Sequence, residues 1–411
     1  ASAQAPEAIG ALRAQHLTLA KALGLSDCSW LEAGIAQLES ALVLPAGPQR
    51  TAAVLAQGEW LSSHLGEAFL AQGEHPACWV DARDALTALP EPNPESRRAW
   101  LSARCEAGAE PALAERWAAR GPVLITQGYV ARSPNGGTAL LGRSGSDTSA
   151  ALLATRLDAE AVEIWTDVPG LFTADPRIEP NARLVDALSF EEALEMAASG
   201  ARVIHGRCIR AAAAARIPLL IRTLAAPEAP GTRISDDAPT ERTTARAVVS
   251  QPDMLVLLLQ NLDTRQQVGF LAGVFEVISR AGLSVEQVAT SETTTTLAID
   301  TVVNHLDADG VDELVSALEP LCTVEAFNHC VCVSLVGRDA RLALHGLAAT
   351  QAFFRRHRLL MMSHSAADRS VSLLVDRAGA DELARILHAE LVVRDQVSDS
   401  TVVPVAALGD D

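Results

Sequence analysis

The order strand, helix, strand, strand, helix, strand occurs twice between residues 254 and 388, and this repeat restricts the fold more than any other feature of the chain. The first copy reads as strand 254–260, helix 268–281, strands 284–290 and 295–302, helix 310–318 and strand 322–327. The second reads as strand 330–336, helix 342–357, strands 360–365 and 370–375, and helix 381–388. A βαββαβ unit covers one face of a small sheet with its two helices. Two ferredoxin-like modules are therefore expected, at 253–328 and 329–396, with a tail at 397–411.

A different order precedes the repeat. Residues 8–44 and 50–70 carry apolar side chains at helical spacing. Short apolar strands at 77–80 and 123–126 bracket a Pro-rich turn and a helix at 95–120. A hairpin at 129–141 turns at Asn135-Gly136, followed by helix 146–157, strand 161–166, helix 190–200 and strand 219–223. Such alternation predicts an α/β domain over 1–235 with a largely parallel central sheet. Pro227, Pro230, Gly231 and Pro239 punctuate a polar stretch at 225–244 without apolar period, so 236–252 is expected to hold a linker and a strand. A chain of 411 residues exceeds one ordinary core, and 49% apolar content is enough for two or more.

Charge and composition narrow the partners. A formal charge of -18 repels a phosphate backbone, which argues against nucleic acid. No apolar run reaches the roughly 20 residues a membrane-spanning helix needs, and no signal peptide opens the chain, so a soluble cytoplasmic protein is expected. The seven cysteines form no C-x-x-C pair, and Cys330 and Cys332, alternate residues of a strand, are expected on one buried face. The histidines show no ligand spacing, so no protein metal site is expected.

Chemistry concentrates between Gly142 and Arg177. Residues 140–150 read LLGRSGSDTSA, a Gly- and Ser-rich turn leading into a helix. Unpaired N–H groups at a helix start can hold an anion, and Arg143 adds a planar fork suited to carboxylate or phosphate. Ser146 or Asp147 acting as a helix cap explains the same residues without a ligand. Residues 165–177 read WTDVPGLFTADPR and put Thr166 and Asp167 at the carboxyl end of a strand, the edge where open α/β sheets bind ligands. A Pro-Gly turn accounts for 168–170, but two acidic residues and an arginine exceed what a turn needs.

Taken together, GRSGSD from Gly142 and WTDVPGLFTADPR from Trp165 resemble the signature segments of aspartokinases. Gly58-Glu59, Gln127-Gly128-Tyr129, residues 191–197, residues 200–205 (GARVIH) and SVEQVATSE from Ser284 follow in the family's order. The resemblance implies an amino-acid-kinase (carbamate-kinase-like) three-layer fold followed by two ACT domains. It also implies transfer of the γ-phosphoryl of ATP to L-aspartate with Mg2+, the first step towards lysine, threonine and methionine. By that likeness Arg143 grips the substrate α-carboxylate and Glu59 its ammonium, Tyr129 lies beside them, and Ser146 and Asp147 order that end of the pocket. Thr166, Asp167 and Phe172 line the nucleotide site, while Asp175, Arg177 and Arg202 face ribose and phosphates. Arg202 stands where many relatives carry lysine, which exchanges a point charge for a fork.

In the regulatory half the likeness assigns Gly269, Phe270, Leu271, Ser284, Val285, Glu286 and Ser291 to an effector, usually L-lysine, in a homodimer or larger assembly paired through ACT domains. The family inserts its first ACT unit into the second, so residues 245–249 would complete the second sheet. Aspartokinases open with Lys-Phe-Gly-Gly-Thr-Ser, which this sequence does not contain, and the expectation is a kinase domain lacking its first strands and impaired in catalysis. The chain also resembles the kinase half of fused aspartokinase and diaminopimelate decarboxylase proteins. The alternative function is a lysine-sensing ACT protein without catalysis.

Overall fold

The computed structural model describes residues 5–74, 76–238, 245–260, 268–338, 340, 348–365 and 367–393. Three helices open the chain: α1 (Ala5–Ala22), α2 (Ser29–Val43) and α3 (Pro48–Leu70), the last begun by proline, whose missing N–H costs nothing in a first turn. Strand β1 (Cys78–Trp79) pairs in parallel with β2 (Leu124–Ile125). Between them the expected single helix is two, α4 (Arg97–Leu101) and α5 (Pro111–Ala118). The break has two causes. Pro111 cannot continue a helix, and residues 103–105 are drawn into strand-like pairing, Ala103 N–H bonding Leu140 O at 2.8 Å and Cys105 bridging Ala88.

The hairpin forms as β3 (Val130–Arg132) against β4 (Thr138–Leu140), followed by α6 (Gly145–Leu157). Strands β5 (Val162–Thr166), β6 (Ala187–Leu188), β7 (Leu219–Thr223) and β8 (Thr232–Ile234) make a sheet in the order β5-β7-β8-β6. The helices here are α7 (Phe190–Ala198), closed by a Ser189/Glu192 capping box, and α8 (Gly206–Ala215). β8 lies inside the stretch expected to be linker, because three residues are too few to show a period.

By contacts the chain divides into one unit of residues 1–164, 204–220 and 233–236 and another of residues 165–203, 221–232 and 237–411. The second unit holds one antiparallel sheet of six strands, β10-β11-β9-β12-β14-β13. They are β9 (Ala247–Gln260), β10 (Gln287–Thr290), β11 (Thr294–Asp300), β12 (Thr323–Val336), β13 (Leu359–His364) and β14 (Ser370–Asp376). The strands expected at 254–260 and near 245–249 are thus one strand, as are those at 322–327 and 330–336, bent by a bulge at 327–330. Residues 247–251 pair with 332–336 beside β14, and residues 254–260 lie between β11 and residues 323–330.

Alternation along these strands sorts the core. Leu255, Leu257 and Leu259 face α9 (Phe270–Arg280) and α10 (Ala308–Leu318), while Val331, Val333 and Leu335 face the helix Arg377–Leu387. Met254, Val256, Cys330 and Cys332 form a third cluster with Met361 and Leu374. The two cysteines share a face as expected; burial pushes both thiols up, Cys330 to about 11. The expected helix at 342–357 is described only over Ala348–Phe354, and the tail at 397–411 lies outside the described residues. Among the described residues no helix is long and apolar enough to cross a membrane.

Candidate active and effector sites

In the first unit, Glu59, Leu101, Tyr129, Gly142, Arg143, Ser144, Gly145 and Ser146 line an open cleft of about 430 Å³. Glu59 comes from α3, Leu101 from the end of α4 and Tyr129 from the entry to the hairpin, while the rest belong to the turn before α6 and its first residues. The cap of α6 is Ser144, not Ser146 or Asp147, and it holds a left-handed backbone (φ 50) with no side-chain capping bond. The first-turn N–H groups therefore keep no side-chain acceptor, which is the condition for an anion to bind there. Thr148 and Ser149 brace the turn from behind: Thr148 Oγ1 donates to Ser144 O at 2.9 Å, and Ser149 Oγ accepts the Tyr129 N–H at 3.2 Å.

Close approach fixes the residue types here. A Cβ on Gly145 would stand 2.3 Å from Cδ2 of the Tyr129 ring, so only glycine lets the ring lie over the helix start. Behind Gly128, Gln127 is buried; its Nε2 donates to Asp81 Oδ1 at 2.7 Å and its Oε1 accepts the Ala82 N–H at 3.2 Å. Asp81 also pairs with Arg83 at 2.6 Å, and Arg83 Nη1 reaches Thr138 Oγ1 at 2.9 Å on β4. This network ties both parallel strands to the hairpin. Sequence reading names Gln127 only within a motif and misses Asp81 and Arg83; a polar residue directly after each of two short apolar strands is the signal that was there.

Asp147 is not among the residues lining the cleft; it is partly buried, and burial raises its pKa. Arg207, also missed, donates to Leu141 O at 2.5 Å and to Ala103 O, holding the strand end from which the Arg143 turn departs. Burial, then the charges of Arg207, Arg143 and Arg210, keep the His205 imidazole below its ordinary pKa.

In the second unit, Thr166 Oγ1 donates to Asp167 Oδ1 at 2.9 Å, and Phe172 bridges Leu184. Asp175 holds Arg177 in a bidentate pair, with Nη2 to Oδ2 at 2.7 Å, and takes the Arg177 N–H at 2.9 Å. The guanidinium keeps the Asp175 carboxyl below the usual range. Arg202 is exposed.

Of the seven expected effector residues, Gly269, Phe270 and Leu271 lie at the start of α9, Ser284, Val285 and Glu286 lead into β10, and Ser291 follows its end. Gly269 caps α9 with φ 97, Phe270 and Val285 rest on the core beneath, and Leu271 is exposed. Asn304 Oδ1 accepts from Ser284 N–H at 2.6 Å, and Ser291 N–H bonds Thr294 O at 2.7 Å. Glu286 N–H bonds Ala298 O at 2.9 Å and the residue is exposed at the surface; partial desolvation of its carboxyl first and the charge of Asp300 second raise its pKa.

Residues 9–223 match the amino acid kinase family. Lysine-sensitive aspartokinase 3 of Escherichia coli (strain K12) is 32% identical over 365 residues, 87% of this chain and 79% of the relative. Aspartokinase 1, chloroplastic, of Arabidopsis thaliana is 29% identical over 72% of this chain and 53% of its own length. Among solved structures, E. coli aspartokinase III in complex with aspartate and ADP superposes with TM-score 0.75 at 29% identity, covering 95% of this chain and 88% of that one. The same enzyme in complex with lysine and aspartate gives TM-score 0.70 at 30% identity over 88% of this chain and 80% of that one. With residues 9–223 matching the family model, a relative of 32% identity covered to 79%, and a sheet built from two βαββαβ repeats, the chain belongs to the aspartokinases within the amino acid kinase family.

Proposed function

We propose that the chain transfers the γ-phosphoryl group of ATP to the side-chain carboxylate of L-aspartate, giving 4-phospho-L-aspartate and ADP, and that L-lysine regulates it through the sheet unit. The observation that carries the reading is the presence of Arg143 and Glu59 in one cleft at a helix start without a side-chain cap. A free α-amino acid carries a carboxylate and an ammonium on one carbon, and the cleft offers a group of opposite charge to each. Two E. coli aspartokinase III complexes hold aspartate, which agrees with that pairing.

A side-chain oxygen of aspartate attacks the γ-phosphorus while the bond to the bridging oxygen of ADP breaks. The carboxylate is already ionised at neutral pH, so no proton has to leave the nucleophile. The protein's work is then to position two anions and to offset their charge. Arg143 and Glu59 orient the amino acid, and Ser146 and Asp147 order that end. Thr166, Asp167 and Phe172 line the nucleotide, with Asp175, Arg177 and Arg202 towards ribose and phosphates. Mg2+ fits as an ion carried by the nucleotide: among the described residues no group of three or more His, Cys, Asp or Glu could cage a metal, and Mg2+ commonly keeps waters and few carboxylates. When bound it neutralises charge on the phosphate oxygens.

For the effector, the Glu286 carboxylate supplies the charge to favour an ammonium group, and the nearby charge of Asp300 adds to the negative field there. Pairing of the regulatory sheets in a homodimer would cover Val288 on edge strand β10, which is exposed. The deciding experiment traps acyl phosphate with hydroxylamine in the presence of ATP, Mg2+ and aspartate. Aspartyl hydroxamate is the expected product. Its absence from a chain whose melting temperature still rises with lysine would favour a non-catalytic lysine sensor instead.

A further inference from the structure

Thr173 lies between Phe172 and Asp175 and is held on every polar atom. Its N–H donates to Arg183 O at 2.8 Å, its carbonyl accepts the Val248 N–H of β9 at 2.8 Å, and its Oγ1 accepts the Arg183 N–H at 2.9 Å. The remaining partner is His388, 215 residues away, whose Nε2 lies 2.9 Å from Thr173 Oγ1. Both side chains are buried, Thr173 at 2% and His388 at 1% exposure. With Oγ1 already accepting from Arg183, the hydroxyl proton needs an acceptor of its own, and the Nε2 lone pair of a neutral imidazole supplies it. His388 opens a short π-helical segment, His388–Val393, directly after the helix Arg377–Leu387, which packs on strands β12 and β14, and Ile178 rests on the same cluster. The loop of residues 172–177 is therefore tied by a side chain at the end of the regulatory fold, within one compact unit.

We infer that His388 is a positioning residue for nucleotide binding: through Thr173 it fixes the loop that presents Phe172 and the Asp175–Arg177 pair. This rests on the proposed nucleotide reading of that loop. A buried hydroxyl left without its partner is costly, and the cheapest relief is movement of the loop that carries it. Such movement displaces Phe172 and Arg177 and leaves the aspartate cleft, which belongs to the other unit, unchanged.

The test measures ADP and aspartate affinities of the full chain by titration calorimetry, with melting temperature alongside. His388→Phe keeps the ring volume and removes the acceptor; Thr173→Val keeps the shape and removes the hydroxyl. Each is expected to weaken ADP binding about tenfold, with aspartate affinity unchanged and the double variant no worse than either single. His388→Gln, whose Oε1 can accept, is expected to recover most of the loss. A merely structural role would lower the melting temperature and leave ADP affinity as it was, which overturns the inference. Arg177→Ala and Phe172→Ala separate the two levels. If these also leave ADP affinity unchanged, the nucleotide reading has failed; if they weaken it while the His388 variants do not, only the positioning role has.

Discussion

Gln251 Nε2 donates to Asp300 Oδ2 at 2.8 Å, joining the start of β9 to the carboxylate whose charge bears on Glu286. On its other side Gln251 touches the Arg202 loop: a Cβ on Gly200, where φ is 104, would stand 2.6 Å from Gln251 Cβ. One glutamine thus lies against both the loop expected to face nucleotide and the acid beside the expected effector site. Asp300 is 3% exposed and has one further donor, the Val303 N–H at 2.8 Å. Gln251→Leu is expected to destabilise the protein by about 1–3 kcal/mol, because a buried charged acceptor loses one of two partners. Urea unfolding measures this; an unchanged midpoint would mean that Asp300 is satisfied without Gln251.

Lysine binding is expected to release a proton in acid solution. The folded Glu286 carboxyl titrates above its ordinary value of 4.5 because partial desolvation and Asp300 disfavour its charge. An ammonium group beside it favours the charged form and drives the proton off. Calorimetry in buffers of different ionisation enthalpy should report proton release just above pH 4.5 and none near pH 8, and Glu286→Gln should abolish it. Equal buffer dependence in that variant would exclude Glu286 as the group responsible.

Arg143 is expected to act as a fork, not as a point charge. Arg143→Lys keeps the positive charge and loses bidentate geometry, so aspartate affinity should fall by about tenfold, and by more in Arg143→Ala. ADP affinity should be unaffected in both. If lysine substitutes without loss, the carboxylate is not held by two parallel bonds.

At Gly145 the expected outcome is a local one. An alanine methyl meets the Tyr129 ring at 2.3 Å and must push it off the helix start. Gly145→Ala should weaken aspartate binding, and Gly145→Ala combined with Tyr129→Ala should remove the clash as the cause. The double variant binding no better than Gly145→Ala alone would count against the ring as the obstacle.

Acid should loosen the Thr173 tie. His388 sits below its ordinary value of 6.5, chiefly through burial, with Glu179 opposing that shift and Arg183 adding to it. Below pH 6.5 the unfolded chain takes up a proton that the folded imidazole refuses, so stability is present above 6.5 and is lost as pH falls through the folded value. The melting temperature of the native chain should drop more steeply than that of His388→Gln between pH 7 and pH 5.

Much of the fold was legible because period and punctuation agreed locally: the hairpin at Asn135-Gly136, the helix after the GRSGSD turn and the strand at 219–223 form where their residues predict. The helix expected at 95–120 failed because pairing of Ala103 with Leu140, distant in sequence, outweighed an apolar period. The cleft was legible as charges on a turn. What the sequence could not reveal was that Ser144 would cap α6 without a side-chain bond, or that Thr173, which reads as a loop residue, meets a histidine 215 positions further on. Those are facts of backbone angle and long-range packing, for which no local pattern exists.

The two long strands also bear on how the protein reaches its native state. β9 and β12 pair along their full length, from Gln260 with Thr323 to Ala247 with Val336. Apart from the Val248 N–H, which bonds Thr173 O, the half of β9 that borders the second module has no neighbouring strand until residues 332–336 have been made. Until then the side of residues 247–251 that will meet β12 is an open, largely apolar edge, the kind of surface on which chains associate wrongly. Closing so wide a loop is slow, so the regulatory sheet should be the late step in folding, and nascent chains that stop short of β12 should be the species most in need of chaperones.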